Sequence, residues 1–106
     1  FKETAKEIFE NKNFDEAKKI RVTPKKVLIR SYKRRWGSCS RKNIISYNWK
    51  LVMAPEKIIR YVVIHELCHL IHFNHSRDFW KSVEKIIPDY KSSKEWLKLN
   101  QHLLDW

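Results

Sequence analysis

An α+β fold is what this sequence predicts: one helix, three short strands, then helices to the end. Two observations carry the prediction. Strand-like runs lie between residues 27 and 49, and apolar residues recur at helical spacing on both sides of them. A third observation sets the scale. The chain has 106 residues, 42% of them hydrophobic and 33% charged, which is enough for one modest core and too apolar for a disordered chain. A single domain over 1–106 is therefore expected. Only one glycine and three prolines occur, which excludes long flexible linkers.

The elements follow in order. Phe1 to about Lys19 predicts a helix, with Phe1, Ala5, Ile8 and Phe9 as its apolar stripe and Asn11 to Asn13 as a candidate interruption. Thr23-Pro24 ends helical character, because the residue before proline avoids the α region. Val27–Tyr32, about Arg35–Ser40 and about Ile44–Trp49 predict three strands, with a turn at Ser40–Asn43. Gly37 inside the second strand points to a bulge or the close approach of another backbone. Pro55 suits a first helical position. The helix it opens, through Ile71, is apolar nearly all round and should be the buried centre. Asn74 to Ser76 breaks it. Ser76 caps a next helix with Phe79, Val83, Ile86 and Ile87 inside, and Pro88 stops that helix. Ser92-Ser93-Lys94-Glu95 is a capping box for a last helix, with Trp96, Leu99, Leu103 and Trp106 on its apolar side.

Charge is unevenly spread. Lys plus Arg is 23, Asp plus Glu is 12, and the formal net charge is +11. Ala17 to Pro55 contains no acidic residue and twelve basic ones, so one surface must carry a strong positive potential, attractive to nucleic acid, nucleotides or acidic protein. No apolar run approaches the roughly 20 residues that span a membrane, so no membrane partner is expected. Cys39 and Cys68 cannot build a disulfide scaffold, and a reduced, cytoplasmic protein is the expectation. The tryptophans are expected to be packing anchors.

The chemistry concentrates in His65-Glu66-Leu67-Cys68-His69, an H-E-x-x-H motif on the buried helix. The histidines sit one turn apart and point the same way, the geometry by which two imidazoles grip one zinc ion. Glu66 lies about 100° round the helix, near the metal and free to handle a proton. Three ionisable groups on an apolar helix are costly to bury unless something satisfies them, and a metal would. For the third ligand, His72 lies about 10 Å along the axis from His65, too far to share a metal easily. His75 lies past the break and can fold back. With the next helix extended to it, His75 falls about 40° from Phe79 on the inner face, whereas Glu84 falls about 140° away. His75 is thus the better candidate, with Glu84 and His72 as the alternatives.

Taken together, Arg35-Trp36-Gly37-Ser38-Cys39, Asn48-Trp49-Lys50-Leu51, Tyr61-Val62-Val63, His65-Glu66-Leu67-Cys68-His69-Leu70 and Asn74-His75-Ser76-x-x-Phe79-Trp80 resemble the YgjP-like metallopeptidase domain. Within it the chain looks like the stand-alone minigluzincins. The resemblance implies a small zincin-like fold: a backing helix, a three-stranded twisted sheet, an active-site helix and a ligand-bearing helix. It implies one catalytic zinc and a peptidase activity. His65 and His69 match the family's metal ligands, Glu66 its general base and His75 its downstream ligand position. The His-Ser-x-x-Phe pattern looks more like the SprT-type variant than like gluzincins that take a glutamate there.

A zinc centre with three protein ligands predicts hydrolysis by an activated water, with Glu66 carrying the proton. An extended peptide would pair with a sheet edge, for which Arg35, Trp36, Gly37 and Ser38 are the candidates. Tyr61, Tyr90 and Arg35 are candidate oxyanion stabilisers. Two alternatives remain open: hydrolysis of nucleotides at the same metal, or a SprT-like protease associated with nucleic acid through the basic 18–50 region. Finally, the segment of about 92–106 ends on Leu103, Leu104, Asp105 and Trp106, apolar residues with a carboxylate. They are candidates for docking in the metal cleft as an autoinhibitory tail, and the minigluzincin resemblance implies the same latency.

Overall fold

The computed structural model describes residues 2–30 and 35–100. In chain order these form α1 (Lys2–Ile20), β1 (Lys26–Arg30), β2 (Gly37–Cys39), β3 (Ile44–Asn48), a short 3-10 helix (Trp49–Met53), α2 (Glu56–Cys68), α3 (Arg77–Ile86) and α4 (Tyr90–Leu99). The expected α+β succession is the one observed. The sheet order is β1–β3–β2, with β1 parallel and β2 antiparallel to β3. β3 is therefore central and largely buried, and β1 and β2 are the two edges.

α1 runs straight through Asn11 to Asn13 instead of breaking there. Asn13 is 1% exposed. Its Nδ2 donates back to the Phe9 carbonyl at 2.9 Å, and its Oδ1 accepts from the Tyr47 hydroxyl at 3.1 Å. With its amide satisfied inside, asparagine becomes a tie between helix and sheet, reinforced by the stacked Phe9 and Tyr47 rings at 5.0 Å. The helix ends in a Schellman motif. Val22 N–H reaches Ala17 O at 3.1 Å, Arg21 N–H reaches Lys18 O at 3.4 Å, and Arg21 sits at φ 57°. An arginine in that left-handed position is strained relative to glycine by about 1 kcal/mol.

The β2–β3 hairpin turns through Ser40–Asn43. Asn43 N–H bonds Ser40 O, Ser40 N–H bonds Ile44 O, and Asn43 takes the left-handed conformation at φ 62°. This is a type I turn closed by a left-handed residue, a role asparagine fills well. The Ser40 hydroxyl accepts from Lys42 and Ile44 N–H as well.

α2 is the buried centre as expected, with Val63, Ile64, Leu67 and Cys68 fully shielded. It stops at Cys68, three residues short of the sequence expectation, and His69 is its C-cap. Ser76 caps α3 by accepting from Phe79 N–H at 3.3 Å. Phe79 and Val83 face the core, Ile87 follows them in, and Ile86 is only half-buried. α4 begins two residues before the proposed capping box. Ser92 donates to Asp89 Oδ2 at 3.0 Å and both accept from Lys57 Nζ, at 2.9 and 3.0 Å, so a cross-helix ion pair replaces the box. The run read as the end of the third strand bends into the 3-10 helix, where Asn48 Oδ1 accepts from Lys50 N–H at 3.1 Å. Trp96 packs towards Trp36 with ring centroids 6.3 Å apart, whereas Leu99 is exposed. Leu103, Leu104, Asp105 and Trp106 lie outside the described residues.

Candidate metal centre

Three histidines converge at the C-terminal end of α2. His65 comes from its last turn, His69 is its C-cap, and His75 immediately precedes the Ser76 cap of α3. One ligand atom of each lies within 4.8 Å of the others, an arrangement able to hold a metal ion. The ring centroids are 5.0 Å apart for His65 and His69, 5.3 Å for His65 and His75, and 4.7 Å for His69 and His75. Glu84, the acidic alternative, is exposed on α3 and outside this cluster. His72 is outside it too, yet it serves the cluster through its backbone.

Hydrogen bonding decides which nitrogens face inward. His69 Nδ1 is 3.0 Å from the His72 carbonyl. A carbonyl only accepts, so Nδ1 carries the proton and the lone pair of the neutral ring is left on Nε2, the pattern by which ligating histidines are oriented. His65 Nδ1 lies 3.1 Å from Glu66 Oε2, which fixes that ring in the same sense. Burial holds the His69 imidazole below the usual histidine range against the raising pull of the His72 carbonyl and the Glu66 charge, and at His75 partial desolvation and then the neighbouring His65 and His69 rings lower it too, which favours the neutral, ligating form.

The walls are aromatic. Phe79, fully buried, stacks on His69 at 4.4 Å and meets His65 and His75 edge-on at 5.1 Å. Trp80 stacks against His75 at 5.8 Å and against Tyr90 at 5.3 Å, with Lys94 Nζ 4.4 Å from its ring centroid. The sequence put Phe79 on the face of His75, and that spacing was the signal for its role as a floor. No local signal marked Lys94 and Leu97, which reach the site only because α4 packs back on α2.

Glu66 is 5% exposed and abuts the β2 edge. A Cβ on Gly37 would sit 3.0 Å from Ser46 O and 3.3 Å from both Cγ and Oε2 of Glu66. The close approach expected of this glycine is therefore to a side chain as well as to backbone. A cleft of about 530 Å³ opens beside the cluster, lined among others by Trp36, Gly37, Tyr61, Glu66, Lys94 and Leu97. Trp36 and Gly37 thus lie at the site. Arg35 and Ser38 do not line the cleft. Arg35 contributes its carbonyl, which accepts from Asn48 Nδ2 at 3.0 Å and pins the strand entry. Tyr61 lies 5.9 Å from the His65 ring, and burial raises its phenol well above the usual range, so it stays protonated. Tyr90 backs Trp80 and does not line the cleft. Burial likewise pushes the Cys68 thiol to about 11 and, aided by the Glu66 charge, the Cys39 thiol to about 11, so neither is a thiolate at neutral pH.

The fold and site define the chain as an α+β protein with an H-E-x-x-H histidine cluster at the end of its central helix. A family model of the YgjP-like metallopeptidase domain matches residues 1–100, and the chain belongs to that family. Among solved structures, the crystal structure of the metallopeptidase zymogen of Pyrococcus abyssi abylysin is similar in fold. Its TM-score is 0.77 at 24% identity, over 92% of this chain and 96% of that one. No curated protein gives a significant match.

Proposed function

We propose that the protein is a zinc metallopeptidase in which His65, His69 and His75 hold one zinc ion and Glu66 is the general base. The observation that carries this reading is the convergence of three imidazoles within 4.8 Å beside a buried carboxylate. An all-imidazole donor set suits zinc, and three protein ligands leave a position open for chemistry. Zinc, when bound, supplies Lewis acidity to the substrate carbonyl and lowers the pKa of the attacking water towards 7.

The chain's own groups do the rest. Glu66 takes the water's proton and returns it to the leaving amine. Tyr61, kept protonated, donates to the oxygen on which charge develops. Among the described residues β2 is an edge strand, and its backbone at Gly37 is the candidate site for pairing with an extended peptide, with Trp36 beside it and Arg35 and Ser38 flanking. Among the described residues the cleft takes no basic side chain from the 18–50 region; Lys94 is its one lysine. That weighs against nucleotides as substrates. The likeness to a zymogen supports latency, with Leu103, Leu104, Asp105 and Trp106 as the restraining tail of a single domain. Its two free cysteines, one buried, fit a reducing cytoplasm, and among the described residues no helix is long and apolar enough to cross a membrane.

The test is metal content and casein hydrolysis of wild type and Glu66→Gln, each with a version trimmed of the last few residues. Glu66→Gln should keep the metal and lose about 10²–10⁴-fold in turnover. Trimming should raise activity while leaving the melting temperature nearly unchanged. Near wild-type turnover in metal-loaded Glu66→Gln excludes Glu66 as base, and unchanged activity in a folded trimmed protein makes the tail a packing element.

A further inference from the structure

A second groove, of about 640 Å³, lies between α1 and β1 and shares no lining residue with the metal cleft. Its apolar floor includes Ala17, Val22, Pro24 and Val27, with Phe14 beside them, a ring left 63% exposed to water. Lys18, Arg21, Lys25 and Lys26 rim it, against Glu10 as the acidic member of its lining. All four basic residues are exposed, and among the described residues none of the four forms an ion pair. The Schellman turn at Arg21 brings them together by folding Val22 back on Ala17 and sending the chain along the helix it has just left.

We propose that this groove is a docking surface for an extended, acidic segment of another protein that also carries apolar side chains. Three features select that occupant. The rim charge calls for carboxylates. The floor takes aliphatic groups, which such a segment supplies on alternate residues. β1 is an edge strand, so a segment lying there can add main-chain hydrogen bonds by β-augmentation. Lysines on an edge ordinarily discourage pairing between strands, and they do so here for a second copy of this chain, which brings the same positive charge. An acidic strand meets no such repulsion. Nucleic acid fits less well. Among the described residues Phe14 is the one aromatic ring in the groove lining, and Lys18 Nζ, 4.6 Å from its centroid, already caps one face, so the groove offers no run of rings on which successive bases could stack.

The experiment is fluorescence anisotropy with the full metal-loaded chain carrying Glu66→Gln, which keeps the probe uncut. The probe is a labelled peptide of alternating glutamate and leucine. It should bind with or without an active-site-directed hydroxamate. Lys25→Glu with Lys26→Glu should weaken binding about tenfold or more, as should Lys18→Glu alone or Phe14→Ser, each checked for fold by circular dichroism. An alternating lysine–leucine peptide should not bind, and a glutamate–serine peptide should bind more weakly. The proposal is overturned if the acidic peptide does not bind, if the hydroxamate displaces it, or if the charge-reversed proteins bind it as well as the parent. It is overturned too if labelled single-stranded DNA binds more tightly, with a steep salt dependence and the same losses, which makes the groove a nucleic-acid surface.

Discussion

The histidine cluster and the α1–β1 groove both gather basic nitrogen, and they do opposite things with it. Around His69, which is buried, loss of water disfavours the charged ring, and at His75, which is exposed, partial desolvation and the neighbouring His65 and His69 rings do the same, so neutral lone pairs converge and the set suits a cation. Around Lys18, Arg21, Lys25 and Lys26 the groups are exposed cations, so positive charge converges and the set suits an anion. The difference teaches that residue type and surroundings together decide the sign of the partner: imidazole sits close enough to neutrality for modest desolvation to settle it as a ligand, whereas an exposed lysine or arginine remains a cation. Aromatic packing is the lever. Phe79 and Trp80 pack against the imidazoles, and among the described residues no comparable wall stands over the lysines.

The comparison breaks most visibly at His75. His75→Ala should weaken zinc retention by more than about a hundredfold, since even partners that only orient a ligand are worth 10–100-fold. His72→Ala should leave it nearly intact, because His72 contributes a backbone carbonyl. Competition against a chromogenic chelator reads both, and the reverse ranking would falsify the ligand set. A smaller effect tests the aromatic lever. Phe79→Leu should cost about 1 kcal/mol of stability yet weaken the metal about tenfold by freeing the His69 ring it stacks on. Unchanged affinity in that variant reduces Phe79 to core filling.

These predictions rest on what was legible beforehand. The succession of helix, strands and helices, the capping serine at 76 and the H-E-x-x-H spacing are local, and each was readable from residue order. The place of His75 beside Phe79 was readable because it lies past the break at Asn74 and falls near Phe79 when the next helix is extended to it, although α3 itself begins at Arg77. What escaped was tertiary. The parallel pairing of β1 with β3 passes over β2, and nothing in either strand announces it. Asn13 looked like a helix breaker until Tyr47, from across the fold, supplied its hydrogen bond. Lys94 and Leu97 join the cleft only by the docking of α4. Asp89 pre-empts the Ser92 box because Lys57 is waiting on α2.

On the groove side the effects are smaller. Arg21→Gly should stabilise the protein by about 1 kcal/mol in urea denaturation, because glycine relieves the left-handed strain. The same change should weaken the acidic peptide slightly, since it deletes one rim charge. A destabilised variant would mean that Arg21 makes a contact worth more than its backbone costs. Smallest of all is the exposed pair that tethers α4. Lys57 and Ser92 hold the Asp89 carboxyl below the usual aspartate range. With the folded value depressed, the stabilisation is complete above about pH 4 and is lost as pH falls through the folded value. The melting-temperature gap between wild type and Asp89→Asn should therefore be small and constant above about pH 4 and close below it. A gap that widens on acidification would refute the sign.

Gly37 has one more consequence, for how such a site can evolve. Because a Cβ there would press on both Ser46 O and the Glu66 carboxylate, the wall beside Glu66 is backbone, and no substitution can add a side chain to it without moving the strand. Sequence drift is closed off at that spot by geometry. It stays open across the cleft, at Lys94 and Leu97 on α4, where side chains can change without displacing the main chain. Under the proposed reading, a lineage can therefore retune what it cuts through a helix far along the chain while the proton-transfer machinery stays where it is.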